Sequence, residues 1–470
     1  MRINLLSAVV FFYTIIVAII TNFFSCSLLL LSLIAILGTS LFLFFCLVKH
    51  QKKVITAFNV FYLCICLFSF GQLILLLIGI KETPLADYSL VYRQFEQDTL
   101  IKGVIFSINC VDIIASAGML FIRKQTQYVL EERKEFEIKI TSIGFFVICI
   151  ILILALVGDI NRAINVSVLG YRKGFTIYAS NSIIASVLYY ASIFRRIIII
   201  VLLYCYRNKP QKRRIYIYIA LYIILQLLFI KNRGGAVIDL ASYVMFQFSI
   251  SPHNQLQNKR NKRIIFFLVV VGIIVLPYIS STRISNIGLG ITNYLKAFNS
   301  MEIVLMEFGG SLETLLYTIE HTISHAWGYQ LLVSASNLLP GSEILFGNLS
   351  DEYQFLSKLG LGNLGLGTTL LSEAYYNFGN TILSYIFIFI IAIIVVNVTN
   401  KLSSNNSYSP KIVIFQGILY SVLLTLIRSS MVDLFSTIKI WVYFLLICKL
   451  TGPYLYSVYM INSENPKKAK

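Results

Sequence analysis

The residues best suited to chemistry in this chain lie in one polar stretch between apolar segments. Glu320-His321-Thr322-Ile323-Ser324-His325 sets two histidines four residues apart, a spacing that would place both on one face of a helix. An outward histidine can act as a general base that takes a proton from a hydroxyl group. The spacing also suits zinc, but no glutamate follows the first histidine and no third ligand is evident, so we expect no metal. A surface or capping role is the alternative for both histidines.

A second candidate group follows a glycine-rich stretch from Gly360 to Gly367. Glu373 and Asn377 are four residues apart, so on a helix both can point into one pocket, and Glu373 is a candidate catalytic carboxylate. Tyr375 and Tyr376 offer rings that can stack on a sugar or anchor an interface. A re-entrant turn with only a structural role would have a similar sequence.

Membrane helices have to position these residues. The chain has 470 residues, of which 57% are hydrophobic and 13% charged, and this composition excludes a soluble domain of that length. We predict an all-α polytopic membrane protein whose apolar runs each cross about 30 Å of hydrocarbon. Twelve spans are predicted, at residues 4–21, 27–48, 57–80, 100–122, 141–157, 183–206, 215–230, 235–250, 264–280, 381–398, 412–427 and 434–450.

The predicted spans divide the chain into four regions. Nine helices occupy residues 1–280, one large outer loop occupies 281–368, a re-entrant segment and three helices occupy 369–450, and a tail occupies 451–470. Lysine and arginine concentrate in alternate links, which marks those links, the tail and both termini as cytoplasmic. The net charge of +18 falls mostly in these links. Anionic membrane lipid explains that charge, so we expect no nucleic-acid partner.

Basic residues on the outer side call for a different explanation. Arg233 lies in a tight turn between the seventh and eighth predicted spans, Arg283 follows the ninth, and Arg428 ends the eleventh. A guanidinium group donates two parallel hydrogen bonds and keeps its charge, so it suits a phosphate or pyrophosphate. Snorkelling to lipid headgroups is the alternative for each arginine taken alone.

Arg195 and Arg196 fall near the middle of the sixth predicted span. An unpaired charge there costs at least about 2.5 kcal/mol. Adjacent helical residues point about 100° apart, so the pair cannot face one way. Either the two arginines line a polar cavity, with Asp239 or Asp112 as partners, or the span is shorter and broken. We favour the cavity and count both arginines among the candidate pyrophosphate ligands.

Several of these segments together resemble those of the O-antigen polymerases (Wzy), the oligosaccharide repeat unit polymerases. They are the Arg233-Gly234 turn, the large outer loop, Asn337-Leu338-Leu339-Pro340-Gly341 and Glu373-Ala374-Tyr375-Tyr376-Asn377-Phe378-Gly379. The resemblance implies an inner-membrane glycosyltransferase with C-type architecture whose large loop is periplasmic. It also implies an undecaprenyl-pyrophosphate-linked oligosaccharide substrate and no cofactor. Arg233 resembles the arginine that engages lipid pyrophosphate, and Arg283 the second outer arginine.

The mechanism that this resemblance implies needs no metal. The growing glycan on one undecaprenyl pyrophosphate is the donor, and the terminal hydroxyl of a lipid-linked repeat is the acceptor. Arg233, Arg283 and Arg428 would stabilise the leaving pyrophosphate, and Tyr375, Tyr376 and Asn377 would hold the glycan. The histidine pattern of the related ligases is not cleanly reproduced, so the general base stays open. Membrane lipid and a chain-length regulator protein are the other expected partners.

Three other functions fit parts of the sequence. An O-antigen ligase shares the architecture and differs in its acceptor, which is lipid A core. A lipid-linked oligosaccharide flippase, a transporter, has about twelve spans, but it has no use for a ninety-residue outer region, and no internal repeat links the two halves. A structural membrane scaffold would tolerate changes at all the outer arginines.

Overall fold

The computed structural model describes most of the predicted helices. The described residues are 13, 15–17, 19–20, 27–41, 44, 48, 56–80, 90–122, 135–176, 183–207, 209–230, 233–250, 301–336, 338–339, 359, 368–403, 410–432, 434–439, 441–443, 446 and 456–461. The ninth predicted span and Arg283 lie outside these residues, as do most of the first span and residues 340–358 of the large loop.

Helices make up nearly all of the described chain. They are α1 (Leu28–Leu33), α2 (Ala57–Leu77), α3 (Val91–Gln94), α4 (Gln97–Phe121), α5 (Ser142–Thr176), α6 (Ile183–Cys205), α7 (Lys212–Ile224), α8 (Arg233–Ile250), α9 (Met301–His321), α10 (Tyr329–Ser336), α11 (Leu370–Phe378), α12 (Ile382–Ser403) and α13 (Pro410–Thr425). Two π-helical segments, Ile34–Leu41 and Leu225–Phe229, continue α1 and α7.

Five helices of the described chain are long and apolar enough to cross a membrane. These spans are Ala57–Leu77, Gln97–Phe121, Ser142–Val168, Val187–Cys205 and Ile382–Leu402, and each overlaps a predicted span. Shorter apolar helices at Leu28–Ser40, Gly235–Ile250, Lys411–Thr425 and Leu434–Tyr443 overlap four more. The chain is therefore a multi-pass helical membrane protein.

One small sheet accompanies the helices. Strand β1 (Glu135–Ile140) pairs antiparallel with β2 (Tyr456–Ile461), so that Glu135 lies opposite Ile461. The sequence does carry the signal, because Glu-Phe-Glu-Ile-Lys-Ile alternates charged and apolar residues with the period of a strand. The sheet joins the segment before α5 to the C-terminal tail.

The chain folds as two compact units, each assembled from separate stretches of sequence. Unit 1 comprises Met1–Lys124, Arg263–Thr399 and Leu423–Ser436, and unit 2 comprises the remaining residues. In unit 1, α9 packs closely along α2, because glycines on the two helices let the backbones touch. A Cβ atom on Gly71 would lie 2.8 Å from the Leu305 carbonyl oxygen, and one on Gly309 would lie 2.4 Å from the Gln72 nitrogen. Residues 301–321 of the predicted loop thus pack directly on the helices of unit 1.

In unit 2 the two longest helices pack side by side. Helix α5 has 35 residues, which makes it about 52 Å long. It packs against α6 and against the π-helical segment Leu225–Phe229. Helix α8 packs on α6, α7 and the same π-helical segment. The π-helical segment ends at Phe229 and α8 begins at Arg233, so Arg233 is helical, and residues 231–232 of the predicted turn lie outside the described residues.

Candidate functional site

Helix α11 is the element that positions most of the predicted site residues in unit 1. Its first turn is closed by a capping box, in which Thr369 Oγ1 accepts from the Ser372 nitrogen at 3.1 Å and Ser372 Oγ accepts from the Thr369 nitrogen at 3.0 Å. The helix ends at Gly379, whose φ of 65° lies in the region that favours glycine. The helical prediction for Glu373 to Asn377 is confirmed.

Glu373 and Asn377 share the buried face of α11. The Glu373 side chain is 1% exposed, and its Oε2 accepts a hydrogen bond from the Met431 nitrogen at 2.8 Å. Asn377 is fully buried, and its Nδ2 donates to the Glu373 carbonyl oxygen at 2.9 Å. Glu373 therefore binds α11 to the chain that follows the eleventh predicted span.

Arg428 lies in the turn that α11 contacts. The Leu370 nitrogen at the start of α11 donates to the Leu426 carbonyl oxygen at 3.1 Å, two residues before Arg428. The Arg428 side chain is half-buried, and its guanidinium carbon lies 5.7 Å from the centre of the Phe68 ring. The segment that carries Arg428 is therefore joined to the start of α11 by a backbone hydrogen bond.

The two histidines occupy different environments, so the prediction of one shared helical face is wrong. Helix α9 ends at His321, and the following residues up to His325 are not helical. His321 is exposed, and its Nδ1 lies 3.0 Å from the Tyr317 carbonyl oxygen. Because a carbonyl oxygen only accepts, Nδ1 must be the donor, which leaves Nε2 as the acceptor nitrogen of the neutral ring.

His325 instead packs against the end of α11. Its ring meets the Tyr375 ring edge-on, with 5.6 Å between the ring centres. A Cβ atom on Gly379 would lie 2.4 Å from His325 Nε2, so only glycine leaves room for the imidazole. Burial raises the pKa of the Tyr375 hydroxyl, which therefore stays a neutral donor and acceptor. His325 and Tyr375 form a packed pair, and Tyr375 also meets Phe106 edge-on.

Trp327 is a residue that the sequence analysis missed. Its ring is 65% exposed, and its φ of 49° is unusual for a bulky side chain. Two hydrogen bonds hold this conformation, from the Ala326 nitrogen to the Tyr376 carbonyl oxygen at 3.2 Å and from the Trp327 nitrogen to the Asn377 carbonyl oxygen at 2.7 Å. These bonds satisfy carbonyl groups at the end of α11 and hold the Trp327 backbone, and the Trp327 ring meets the His325 ring edge-on. The Trp327-Gly328 pair, two residues after His325, was the available signal.

Arg195 and Arg196 lie in unit 2 on α6, which runs unbroken from Ile183 to Cys205. Arg195 forms a buried ion pair with Asp159, and Arg196 pairs with Asp239 at 2.5 Å. The predicted partner Asp239 is thus confirmed for Arg196. The prediction that Asp112 pairs with an arginine of this span is wrong. Arg195 pairs with Asp159, and Asp112 belongs to unit 1.

Two polar side chains complete this cluster. Gln226 Nε2 donates to Asp159 Oδ1 at 3.0 Å, and the Tyr222 hydroxyl donates to Asp239 Oδ2 at 2.5 Å. The Tyr222 ring also lies 3.6 Å from the Arg195 guanidinium carbon. We call these residues, Asp159, Arg195, Arg196, Tyr222, Gln226 and Asp239, the buried charge network. It was missed as a unit because its members are up to 80 residues apart in sequence.

Of the remaining predicted arginines, Arg233 is the first residue of α8 in unit 2, and only its backbone is among the described parts of the chain. Arg283 lies outside the described residues. The histidines, α11 and Arg428 thus belong to unit 1, whereas Arg195, Arg196 and Arg233 belong to unit 2.

Comparison with known proteins assigns the chain to one family. The family model described as O-antigen polysaccharide polymerase Wzy matches residues 3–456, nearly the whole chain. No curated protein and no solved structure matches it.

Proposed function

Because this chain belongs to the O-antigen polysaccharide polymerase Wzy family, we propose that it transfers a growing glycan from undecaprenyl pyrophosphate to an incoming lipid-linked repeat unit at the periplasmic face. Family membership itself implies glycosyltransferase-type activity on lipid-linked repeat units in the membrane. In the proposed step, the terminal hydroxyl oxygen of the acceptor repeat attacks the anomeric carbon of the donor glycan. The bond from that carbon to the pyrophosphate oxygen breaks, and its electron pair leaves with the lipid pyrophosphate.

The observation that carries this proposal is the junction of Arg428 with the start of α11. A guanidinium group at the end of an apolar helix suits the pyrophosphate of a lipid substrate. The histidine segment lies at the opposite end of α11, about 13 Å away along a nine-residue helix. We therefore assign Arg428 to the pyrophosphate of the acceptor, whose glycan reaches the histidines. Arg233 and Arg283 then stabilise the leaving group of the donor.

The experiment that tests the function is a lipopolysaccharide gel from a strain that lacks this chain, complemented with the wild-type gene. A core carrying a single repeat in the deleted strain, with the ladder restored by the gene, supports a polymerase. Bare cores with lipid-linked polymer would indicate a ligase instead. Bare cores with unpolymerised repeats retained at the cytoplasmic face would indicate a flippase. An unchanged ladder would refute all three functions.

We assign the general base to His321. Its tautomer presents Nε2 as an acceptor, and its ring is exposed to an incoming hydroxyl, whereas the His325 ring is packed against Tyr375 and Gly379. Replacing His321 by alanine should lower the turnover number about 10²- to 10⁴-fold without lowering the amount of protein in the membrane. Polymerisation kinetics with purified lipid-linked repeats measure the effect.

His325→Ala is the matched control for this assignment. It should lower the amount of folded protein, because it removes a packed ring, and should leave the turnover per folded molecule within a few-fold of the wild type. The opposite pattern, in which His325→Ala alone removes turnover, would transfer the base to His325.

We propose that Trp327 and Tyr376 form the glycan-binding surface together with Asn377 and the packed Tyr375. Trp327 is 65% exposed, and the backbone at Ala326 and Trp327 is bonded to Tyr376 and Asn377, so an exposed aromatic side chain lies beside the end of α11, where it can stack on a sugar. Trp327→Ala should raise KM for the lipid-linked repeat about two- to tenfold, since an aromatic contact contributes about 0.5–1.5 kcal/mol. Trp327→Phe should keep most of the affinity. An unchanged KM in both variants, with reduced membrane binding, would indicate an interfacial anchor.

We further propose that the protein lies in the inner membrane with both termini cytoplasmic. The pairing of β1 with β2 supports a common side for the basic link before α5 and the C-terminal tail. A fluorescent protein fused after Lys470 should therefore fluoresce, and a periplasmic reporter at the same position should be inactive. The chain-length regulator remains a predicted partner.

A further inference from the structure

We propose that the buried charge network positions Arg233 by fixing the start of α8, and that Arg195 and Arg196 do not themselves bind the lipid pyrophosphate. This inference rests on the proposed role of Arg233 in stabilising the leaving group. It replaces the direct binding role that the sequence suggested for the arginine pair.

The members of the network pair with one another. It contains two guanidinium groups and two carboxylates, joined in two ion pairs. Asp159 Oδ2 pairs with Arg195 and its Oδ1 with Gln226, while Asp239 Oδ1 pairs with Arg196 and its Oδ2 with Tyr222. A pyrophosphate would therefore have to displace a buried carboxylate from its guanidinium partner. The pairs are therefore suited to hold structure.

The network also connects α8 to α5, α6, α7 and the π-helical segment Leu225–Phe229. Asp159 lies on α5, the arginines on α6, Tyr222 on α7 and Gln226 on the π-helical segment, and Asp239 is the member on α8. Since adjacent residues on α6 point about 100° apart, Arg195 and Arg196 bind carboxylates on two different helices. One turn of α6 thus holds α5 and α8 at once.

The path from the network to Arg233 is short. Asp239 follows Arg233 by six residues on the same helix, about 9 Å along its axis. On the other side, the Ile230 nitrogen donates to the Leu225 carbonyl oxygen at 3.1 Å, which closes the π-helical segment that holds Gln226. Members of the network therefore lie both on the π-helical segment that ends before Arg233 and on the helix that Arg233 begins. We call Asp239 and Arg196 positioning residues for this reason.

A pair of neutralising substitutions tests the inference. Arg196→Met leaves the Asp239 carboxylate without its cation, and Asp239→Asn leaves Arg196 without its anion. Each single change should lower polymer about tenfold or more, because an uncompensated buried charge is strongly unfavourable. The double variant Arg196→Met with Asp239→Asn removes both charges and keeps an oxygen that accepts from Tyr222. It should restore polymer to within about twofold of the wild type.

A second readout reports the position of the Arg233 link itself. Asn232→Cys, placed in each background, is labelled with a membrane-impermeant maleimide. The labelling rate should change in both single variants and return to the wild-type value in the double variant. Arg207→Met is the matched control, because Arg207 follows α6 and its guanidinium lies over the Tyr204 ring, outside the network. It should change neither the ladder nor the labelling rate.

Two outcomes would overturn the inference. A double variant that accumulates normally in the membrane but makes no polymer would mean that Arg196 acts on the substrate directly. Single variants with a full ladder and unchanged labelling would mean that the network positions nothing. Failure of the proposed function looks different, because Arg233→Ala would then itself keep the full ladder.

Discussion

Replacing Arg233 by alanine is expected to abolish polymer while the protein remains in the membrane. In the proposed reaction the lipid pyrophosphate gains negative charge as the glycosidic bond breaks, and a fixed guanidinium stabilises that charge. Loss of one such donor typically lowers turnover about 10²- to 10³-fold. Arg233→Lys should recover only part of the activity, since an ammonium group is a point charge without the bidentate fork. A lipopolysaccharide gel with a membrane immunoblot measures both quantities.

Arg428→Ala is the variant to compare with Arg233→Ala. If Arg428 binds the acceptor, its loss should raise KM for a labelled single repeat about 10- to 100-fold, since a hydrogen bond to a charged group contributes about 1.5–3 kcal/mol. The turnover number at saturating acceptor should change little. Full polymer length in Arg233→Ala would refute the leaving-group role. An Arg428→Ala defect in turnover alone would move Arg428 to the donor site.

Glu373→Ala is expected to have the second largest effect, through the structure and not through proton transfer. The change leaves the Met431 nitrogen buried without its acceptor, which costs about 1–3 kcal/mol, and separates α11 from the Arg428 turn. Folded protein and polymer should both fall. Glu373→Gln keeps a carbonyl oxygen that can accept from Met431, so it should retain most of both. Detergent-extracted protein on a thermal melt, beside the polymer ladder, measures the two effects.

The pair of Glu373 variants separates the predicted catalytic role from the positioning role. If Glu373→Gln is as stable as the wild type yet makes no polymer, the carboxylate charge itself takes part in the reaction. If both variants are equally unstable, the negative charge of Glu373 itself stabilises the turn at Arg428. An anion would do this because Glu373 lies near the first helical residues after Ser430, where a helix favours negative charge.

Hydropathy alone predicted the elements that matter most for architecture, because a helix in lipid must satisfy its own backbone and is therefore visible as an apolar run. The same local logic predicted that Glu373 and Asn377 share one face of α11. It failed at His321, where the sequence continues with helix-compatible spacing but the helix ends. The hydrogen bonds that hold Ala326 and Trp327 come from α11, about 50 residues later, so no local pattern contained them.

The identity of the partners of the buried charges was harder to predict than the need for such partners. The sequence showed that Arg195 and Arg196 needed carboxylates, and it offered Asp112 and Asp239 as candidates. Asp159 was passed over because it falls just beyond the predicted fifth span, whereas α5 continues to Thr176 and keeps Asp159 at 1% exposure. The close packing of α9 on α2 was not predicted for a related reason. Gly71 and Gly309 allow it only together, and they lie on helices that are far apart in sequence.

The small sheet has a consequence for how the chain is made. About 315 residues separate Ile140 at the end of β1 from Tyr456 at the start of β2. At a synthesis rate of about 5–20 residues per second, β1 emerges from the ribosome roughly 15 to 60 s before its partner exists. During that interval its edge can pair with other exposed strands. Translation must therefore pass Ile461 before the first strand is protected, and a chain truncated before Tyr456 would yield a membrane protein with a permanently open edge.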